Sequence, residues 1–175
     1  MLGLDYRGYG LTPGVVSETH GYEDAEAAYQ ELKRRGVPDD HIVLWGHSLG
    51  SGPAVYLATR HPAVALVLFG AFTSIPDMAA ETYPLLPVRL LVGVQFDSIA
   101  RLPSLRVPLL IAHSVSDAVV PYAHALKNFA AAQDPKRLLT LRDPPNDGLG
   151  GHVNALYDHL DELLPPLTAL LRATR

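Results

Sequence analysis

The pentapeptide Gly46-His47-Ser48-Leu49-Gly50 decides the fold of this 175-residue chain. It directly follows an aliphatic stretch, residues 42–45, that is typical of a buried strand, and it leads into a segment of helical periodicity. A serine at a strand-to-helix turn with small flanking residues can adopt a strained backbone that lifts its hydroxyl above the sheet, near the positive end of the helix. The pentapeptide therefore indicates a nucleophile elbow in a sheet of parallel strands.

Outward from this turn, short apolar runs alternate with segments of helical periodicity. This is the pattern of an α/β protein with a mainly parallel sheet flanked by helices. The predicted strands cover residues 1–4, 42–45, 64–69, 108–112 and 137–141. The predicted helices cover residues 22–35, 49–60, 122–132 and 153–172, and Pro165 and Pro166 should kink or split the last one.

Residues 72–106 interrupt the alternation with several prolines among scattered aliphatic residues. We expect short helices there, forming either a lid-like insertion or a simple packing layer over the sheet edge. We find no repeat, low-complexity tract or linker in the sequence. Residues 1–175 are therefore predicted to form a single domain.

The composition excludes several classes of protein. The chain has 48% hydrophobic and 18% charged residues, which fits a globular domain, and a net charge of -4 argues against a nucleic-acid partner. No apolar run approaches the roughly 20 residues that span a bilayer. The absence of cysteine excludes disulfides, zinc-thiolate sites and a cysteine nucleophile. We expect a cytoplasmic chain without a membrane segment, although a missing N-terminal part could have carried an anchor.

A serine hydroxyl is a weak nucleophile, so it needs a histidine base that is itself oriented by a carboxylate. Asp117 follows the predicted strand at 108–112 through a polar loop, and His152 follows the last predicted strand in a glycine-rich loop. Ser48, Asp117 and His152 occur in the order expected for an α/β-hydrolase.

Other residues compete for these roles. Asp77 and Asp143 are alternative acids, whereas His113 and His159 are alternative bases. The candidates for the substrate pocket are His47, His113, Met78 and Leu86. Asp143, Asp147 and Asp158 lie near His152 in sequence, but a loop around the base and a solvated helix face explain them better than a metal centre. We expect no metal and no other cofactor.

Several motifs resemble the serine α/β-hydrolases of the Bem46/ABHD13/ABHD17-like group. Besides the elbow, they are Asp5-Tyr6-Arg7-Gly8-Tyr9-Gly10, Phe72-Thr73-Ser74, Phe96-Asp97-Ser98, residues 113–121 and Gly151-His152. The resemblance implies that Ser48 is the nucleophile, Asp117 the acid and His152 the base, with the Leu49 backbone N–H as an oxyanion donor. The chain departs from the group's pattern at Ser114, where glycine is usual, and in an enlarged segment at residues 143–150.

The resemblance also implies that the chain is an N-terminally truncated, partial α/β-hydrolase domain. In the group, the Asp-Tyr-Arg-Gly-Tyr-Gly motif ends the fourth strand, so the first three strands and the loop with a second oxyanion donor are missing. Losing one such donor typically costs about 3 to 4 kcal/mol of transition-state stabilisation. A missing internal strand also leaves an open sheet edge, through which we expect self-association.

Two classes of function fit these observations. The first is a serine hydrolase that cleaves a small-molecule carboxylic ester or thioester through an acyl-enzyme on Ser48, with peptide cleavage as the enzymatic alternative. The apolar insertion favours an acyl substrate. The second is a catalytically impaired or non-catalytic hydrolase fragment.

We expect the 175-residue chain to be a poor hydrolase that self-associates, and a version extended upstream by the missing strands to be active. Both the missing donor and the missing strand favour this outcome. Size-exclusion chromatography and hydrolysis of a short-chain p-nitrophenyl ester compare the two chains. A monomeric short chain with the turnover of the long one would contradict the expectation.

Overall fold

The computed structural model describes residues 1–142, 151–153 and 159–173. The strands are β1 (Val43–His47), β2 (Ala65–Phe69), β3 (Leu109–Ser114) and β4 (Lys136–Leu141). The helices are α1 (Glu18–Arg34), α2 (Ser51–Ala58), α3 (Ile75–Thr82), α4 (Val88–Leu91), α5 (Ser98–Arg101), α6 (Ala123–Ala131) and α7 (Leu160–Ala173), with 3₁₀ turns at Asp39–His41, Ser48–Gly50 and Leu102–Ser104. None of the described helices combines the length and apolar character needed to cross a bilayer.

The strands form a parallel sheet in the order β1-β2-β3-β4, with helices packed on both faces. On β2, Leu66 and Leu68 belong to the core that contains residues of α1, α2 and α6, whereas Val67 and Phe69 belong to the core that contains residues of α7. Every residue of β2 is buried, as expected for a central parallel strand. The predicted α/β class and parallel sheet are confirmed.

The strand predicted at residues 1–4 is wrong. These residues form no regular structure and are exposed. Among the described residues no strand lies beside β1 on that side, so this segment has no ladder to join. Val43 and Trp45 of β1 are correspondingly 39% and 41% exposed, whereas Leu44 between them is buried. The described sheet therefore ends at an edge that carries apolar side chains.

The start of the first helix differs from the prediction, and the last helix is continuous where the prolines were expected to kink or split it. Helix α1 begins at Glu18 rather than Tyr22, because the Ser17 hydroxyl accepts a hydrogen bond from the backbone N–H of His20 and caps the helix. The last helix is described from Leu160 and runs on through both prolines without splitting. The carbonyls that these prolines leave without an intrahelical donor belong to Asp161 and Glu162, which are exposed.

The insertion at residues 72–106 forms short helices, as predicted: α3, α4, α5 and one 3₁₀ turn. Phe96 fixes its far end to the domain. An added Cβ would lie 2.6 Å from the Phe96 ring at Gly52 and 3.2 Å from it at Gly21. The Phe96 ring thus packs between α1 and α2, and it lies so close to Gly52 that a side chain there would clash with it.

The N-terminal segment is tied to α1 through Arg7. Its Nε lies 2.6 Å from Asp24 Oδ1, its backbone N–H donates to Asp24 Oδ2, and a terminal nitrogen lies 2.6 Å from Glu23 Oε2. These contacts give a physical reason for the arginine in the motif Asp5-Tyr6-Arg7-Gly8-Tyr9-Gly10. The neighbouring residue Tyr6 packs against the core that contains Ala54 and Val55 of α2.

We expect Gly52→Ala to lower the free energy of unfolding by about 1 to 3 kcal/mol. The clash of the new methyl group with the Phe96 ring outweighs the gain of up to about 1 kcal/mol that alanine has over glycine in a helix. Urea denaturation measures the difference. Gly93→Ala is the matched control, because nothing lies within 4 Å of a Cβ added there. A Gly52→Ala protein as stable as the parent would show that the Phe96 ring does not constrain α2.

Candidate active site

The turn after β1 places Ser48 in a backbone conformation that residues other than glycine rarely adopt. Its φ is +49°, and the 3₁₀ turn Ser48–Gly50 leads directly into α2. Gly46 makes this turn sterically feasible, because an added Cβ would lie 2.6 Å from Ser51 Cα and 2.8 Å from Ala54 Cβ. The close contact of strand and helix therefore presents the serine hydroxyl at the carboxyl end of the sheet.

The structure brings Ser48, His152 and Asp117 into one hydrogen-bonded line. His152 Nε2 lies 2.8 Å from Ser48 Oγ, and His152 Nδ1 lies 2.8 Å from Asp117 Oδ2. Since a carboxylate only accepts, Nδ1 carries the proton and the Nε2 lone pair faces the serine hydroxyl. These contacts join residues that lie 104 and 35 positions apart in the chain.

Asp117 sits in a dense set of donors. Its Oδ1 accepts from the backbone N–H groups of Val119 and Val120 at 2.9 and 2.8 Å, and His113 Nε2 lies 3.2 Å from its Oδ2. Burial disfavours the charged form, but hydrogen bonds from His113, His152 and the two amides outweigh it and hold the pKa of the carboxyl well below its usual range. The group that orients His152 is therefore ionised at neutral pH.

Gly70 lies against the imidazole of His152, a contact that the sequence reasoning missed. It follows β2 with φ +54°, and an added Cβ would lie 3.3 Å from His152 Cε1 and 3.5 Å from Asp117 Oδ2. The sequence feature that could have pointed to this position is a glycine directly after an apolar strand. Nothing local in the sequence indicates which ring it faces.

The remaining predicted site residues occupy different surroundings. His47 Nε2 lies 2.9 Å from the backbone carbonyl oxygen of His152. His113 has no exposed side chain and sits behind Asp117, where its Nε2 also lies 2.8 Å from the carbonyl oxygen of Val120. Met78 packs against the apolar cluster formed by Phe72, Phe96 and Val120, whereas Leu86 is 55% exposed on the insertion.

The alternative acids and bases lie elsewhere or outside the described residues. Asp77 accepts from Thr73 Oγ1 at 2.7 Å and pairs with Arg89. His159 Nδ1 lies 2.7 Å from Glu162 on α7. Asp143, Asp147 and Asp158 fall in segments that the structure does not describe. Within the described parts of the chain, no three histidine or acidic side chains are grouped so that they could hold a metal ion.

An apolar cleft borders the turn Ser48–Gly50. Besides Leu49, its lining is formed mainly by Tyr6, Tyr9, Val16, Pro53 and Phe96. Leu49 also packs on the apolar cluster of Phe72, Phe96 and Val120, of which the two phenylalanines belong to the insertion. Ser48 is therefore followed by a residue that contributes to an apolar surface.

Comparisons with known proteins agree with this geometry. The model of the family described as serine aminopeptidase, S33 (Hydrolase_4) matches residues 1–94. An uncharacterized protein of Mycobacterium tuberculosis is 40% identical over 139 residues, covering 79% of this chain and 50% of its own length. Human alpha/beta hydrolase domain-containing protein 17B is 32% identical over 166 residues, covering 91% and 53%. The chain spans about half the length of these curated relatives.

Solved structures show the same fold at low sequence identity. A serine hydrolase homologue from Coxiella burnetii superposes with a TM-score of 0.65 at 18% identity, covering 97% of this chain and 66% of that one. An esterase from Exiguobacterium antarcticum gives a TM-score of 0.64 at 17% identity, covering 96% and 80%. The elbow, the parallel sheet and these matches lead to one conclusion: the chain belongs to the serine aminopeptidase S33 (Hydrolase_4) family of α/β-hydrolases.

Proposed function

We propose that this chain is a serine hydrolase that cleaves a carboxylic ester or thioester through an acyl-enzyme on Ser48. The observation that carries the proposal is the line of two 2.8 Å contacts from Ser48 Oγ through the His152 ring to Asp117. Such a line joins a weak nucleophile to a base and the base to an orienting carboxylate.

In the proposed reaction, Ser48 Oγ attacks the substrate carbonyl carbon while His152 Nε2 takes the hydroxyl proton. The oxyanion of the tetrahedral intermediate accepts a hydrogen bond from the Leu49 backbone N–H. As the intermediate collapses, the bond to the alcohol or thiol breaks, and the leaving group takes the proton from His152. A water molecule then gives a proton to His152 and attacks the acyl-enzyme. The bond to Ser48 Oγ breaks, His152 returns the proton to that oxygen, and the acid leaves. Asp117 remains ionised and stabilises the imidazolium.

The surroundings of Ser48 favour an acyl group as the substrate moiety. The cleft beside Leu49 is mainly apolar, and the insertion carries further apolar side chains. We propose that residues 72–106 act as a lid-like part of a single hydrolase domain. Each methylene group of an acyl chain that packs against this apolar surface contributes roughly 0.8 kcal/mol when it is fully buried.

Peptide cleavage is the second candidate, because the matching family is described as serine aminopeptidase. The same Ser48 chemistry applies to an amide, but the leaving amine must be protonated by His152 before the bond breaks. Paired p-nitrophenyl ester and aminoacyl p-nitroanilide substrates distinguish the two activities. Faster turnover of the anilide would favour the peptidase.

We expect a fluorophosphonate probe to modify the parent chain at Ser48, with loss of fluoride, and to leave Ser48→Ala unlabelled. The reason is that only a serine activated by a base displaces fluoride from phosphorus at a measurable rate. Mass spectrometry of the labelled peptide gives the position. Ser104→Ala is the matched control, because the hydroxyl of this exposed serine donates to the nearby carbonyl of Arg101 and its loss should not affect labelling. Persistent labelling of Ser48→Ala would move the nucleophile elsewhere.

We expect the stability difference between the parent and Asp117→Asn to depend on pH. The pKa of Asp117 is lower in the folded chain than its unfolded value of about 4, so its ionisation stabilises the fold above about pH 4. That stabilisation is lost as the pH falls toward the folded pKa. Urea denaturation should therefore show a constant difference in unfolding free energy above about pH 5 and a shrinking one from about pH 5 to pH 3. A difference that stays constant over this range contradicts the ionised role of Asp117.

A further inference from the structure

We propose that His47 is a positioning residue that holds the backbone of the general base. The inference rests on the proposed role of His152. His47 Nε2 lies 2.9 Å from the carbonyl oxygen of His152, across 105 positions of the chain. This is hydrogen-bond distance for an N–H donor and a carbonyl acceptor. The residue directly before the nucleophile thus binds the residue that must deprotonate it.

Two separate contacts fix His152 in this arrangement. Asp117 binds the ring at Nδ1, and His47 binds the backbone of the same residue at its carbonyl oxygen. A ring held only at Nδ1 can still swing as the backbone shifts, so a second point of attachment helps to set where Nε2 points. Because His47 and Ser48 are adjacent, any shift of the turn Ser48–Gly50 carries this attachment with it.

The His47 ring is itself oriented by packing. It lies edge-on against Phe69, with ring centroids 5.4 Å apart and planes at 65°. Phe69 is the partner of His47 in the register of β1 and β2. The His47 ring also lies beside the His152 ring, with centroids 5.3 Å apart. The donor nitrogen is therefore held in place by the sheet.

The neutral form of His47 suits this role. Burial is the largest effect and, together with the charge of His152, holds the pKa of His47 below its usual value. The bond to the His152 carbonyl and the charge of Asp117 raise this pKa but do not outweigh burial. A neutral ring with its proton on Nε2 still donates to the carbonyl. It also avoids like-charge repulsion when the neighbouring His152 takes the serine proton.

Two substitutions separate hydrogen bonding from packing. His47→Gln keeps an N–H donor near the position of Nε2, whereas His47→Leu fills similar space without a donor. We expect the fluorophosphonate labelling rate of Ser48 to fall by about tenfold in His47→Leu and to be largely restored in His47→Gln. His41→Leu is the control, because the exposed ring of this histidine binds its neighbour Asp40 and the variant should label at the parent rate. Thermal melting checks that each variant is folded.

A second measurement does not depend on activity. The ring proton on His152 Nδ1 should give a downfield NMR signal that disappears in Asp117→Asn, which assigns it. We expect this signal to persist in His47→Gln and to shift or broaden in His47→Leu. Equal labelling rates and an unchanged signal in folded His47→Leu would overturn the role of His47 while leaving the proposed hydrolase intact. An unlabelled parent chain would instead overturn the hydrolase, and the NMR comparison would still decide the role of His47.

Discussion

The close approach of β1 to α2 at Gly46 is the constraint on which the rest of the site depends. A Cβ added at Gly46 would lie 2.6 to 2.8 Å from atoms of the turn and of α2, so β1 and α2 pack too closely for any side chain at this position. The chain must therefore turn within one residue, and Ser48 takes the positive φ that this turn requires. A strain of about 1 to 3 kcal/mol at one residue persists only where surrounding packing enforces it. Here the buried start of α2 provides that packing.

The electrostatics of the site follow from a carboxylate that is both buried and saturated with donors. An isolated buried carboxylate would be protonated, because burial disfavours charge. Asp117 instead receives two backbone amides and two histidine rings, so it stays ionised. Its charge then fixes the proton of His152 on Nδ1, which leaves Nε2 free to face Ser48. The tautomer of His152 is thus set by Asp117 and by the groups that keep Asp117 ionised.

The features that could be predicted from the sequence are those that depend on local residue patterns and on the order of residues along the chain. The four strands of the sheet, the elbow at Ser48 and the convergence of Ser48, Asp117 and His152 all followed from apolar runs and the order of polar residues at strand ends. The strand at residues 1–4 failed because an apolar run forms a strand only where a neighbour pairs with it. Gly70 and the bond from His47 to the His152 carbonyl were missed because contacts between distant segments leave no local signal.

The parallel direction of the strands explains how such distant residues meet. Ser48 follows β1, Gly70 follows β2 and Asp117 lies in the loop after β3, while His152 comes after β4. All strands run the same way, so these positions collect at one edge of the sheet. A slip of one residue between neighbouring strands would move a strand end by about 3.3 Å. That displacement exceeds the 2.8 Å length of either contact made by the His152 ring, so the register of the sheet is part of the site. It follows that the fully buried residues of β2, which lock this register between β1 and β3, contribute to the geometry of the line formed by Ser48, His152 and Asp117.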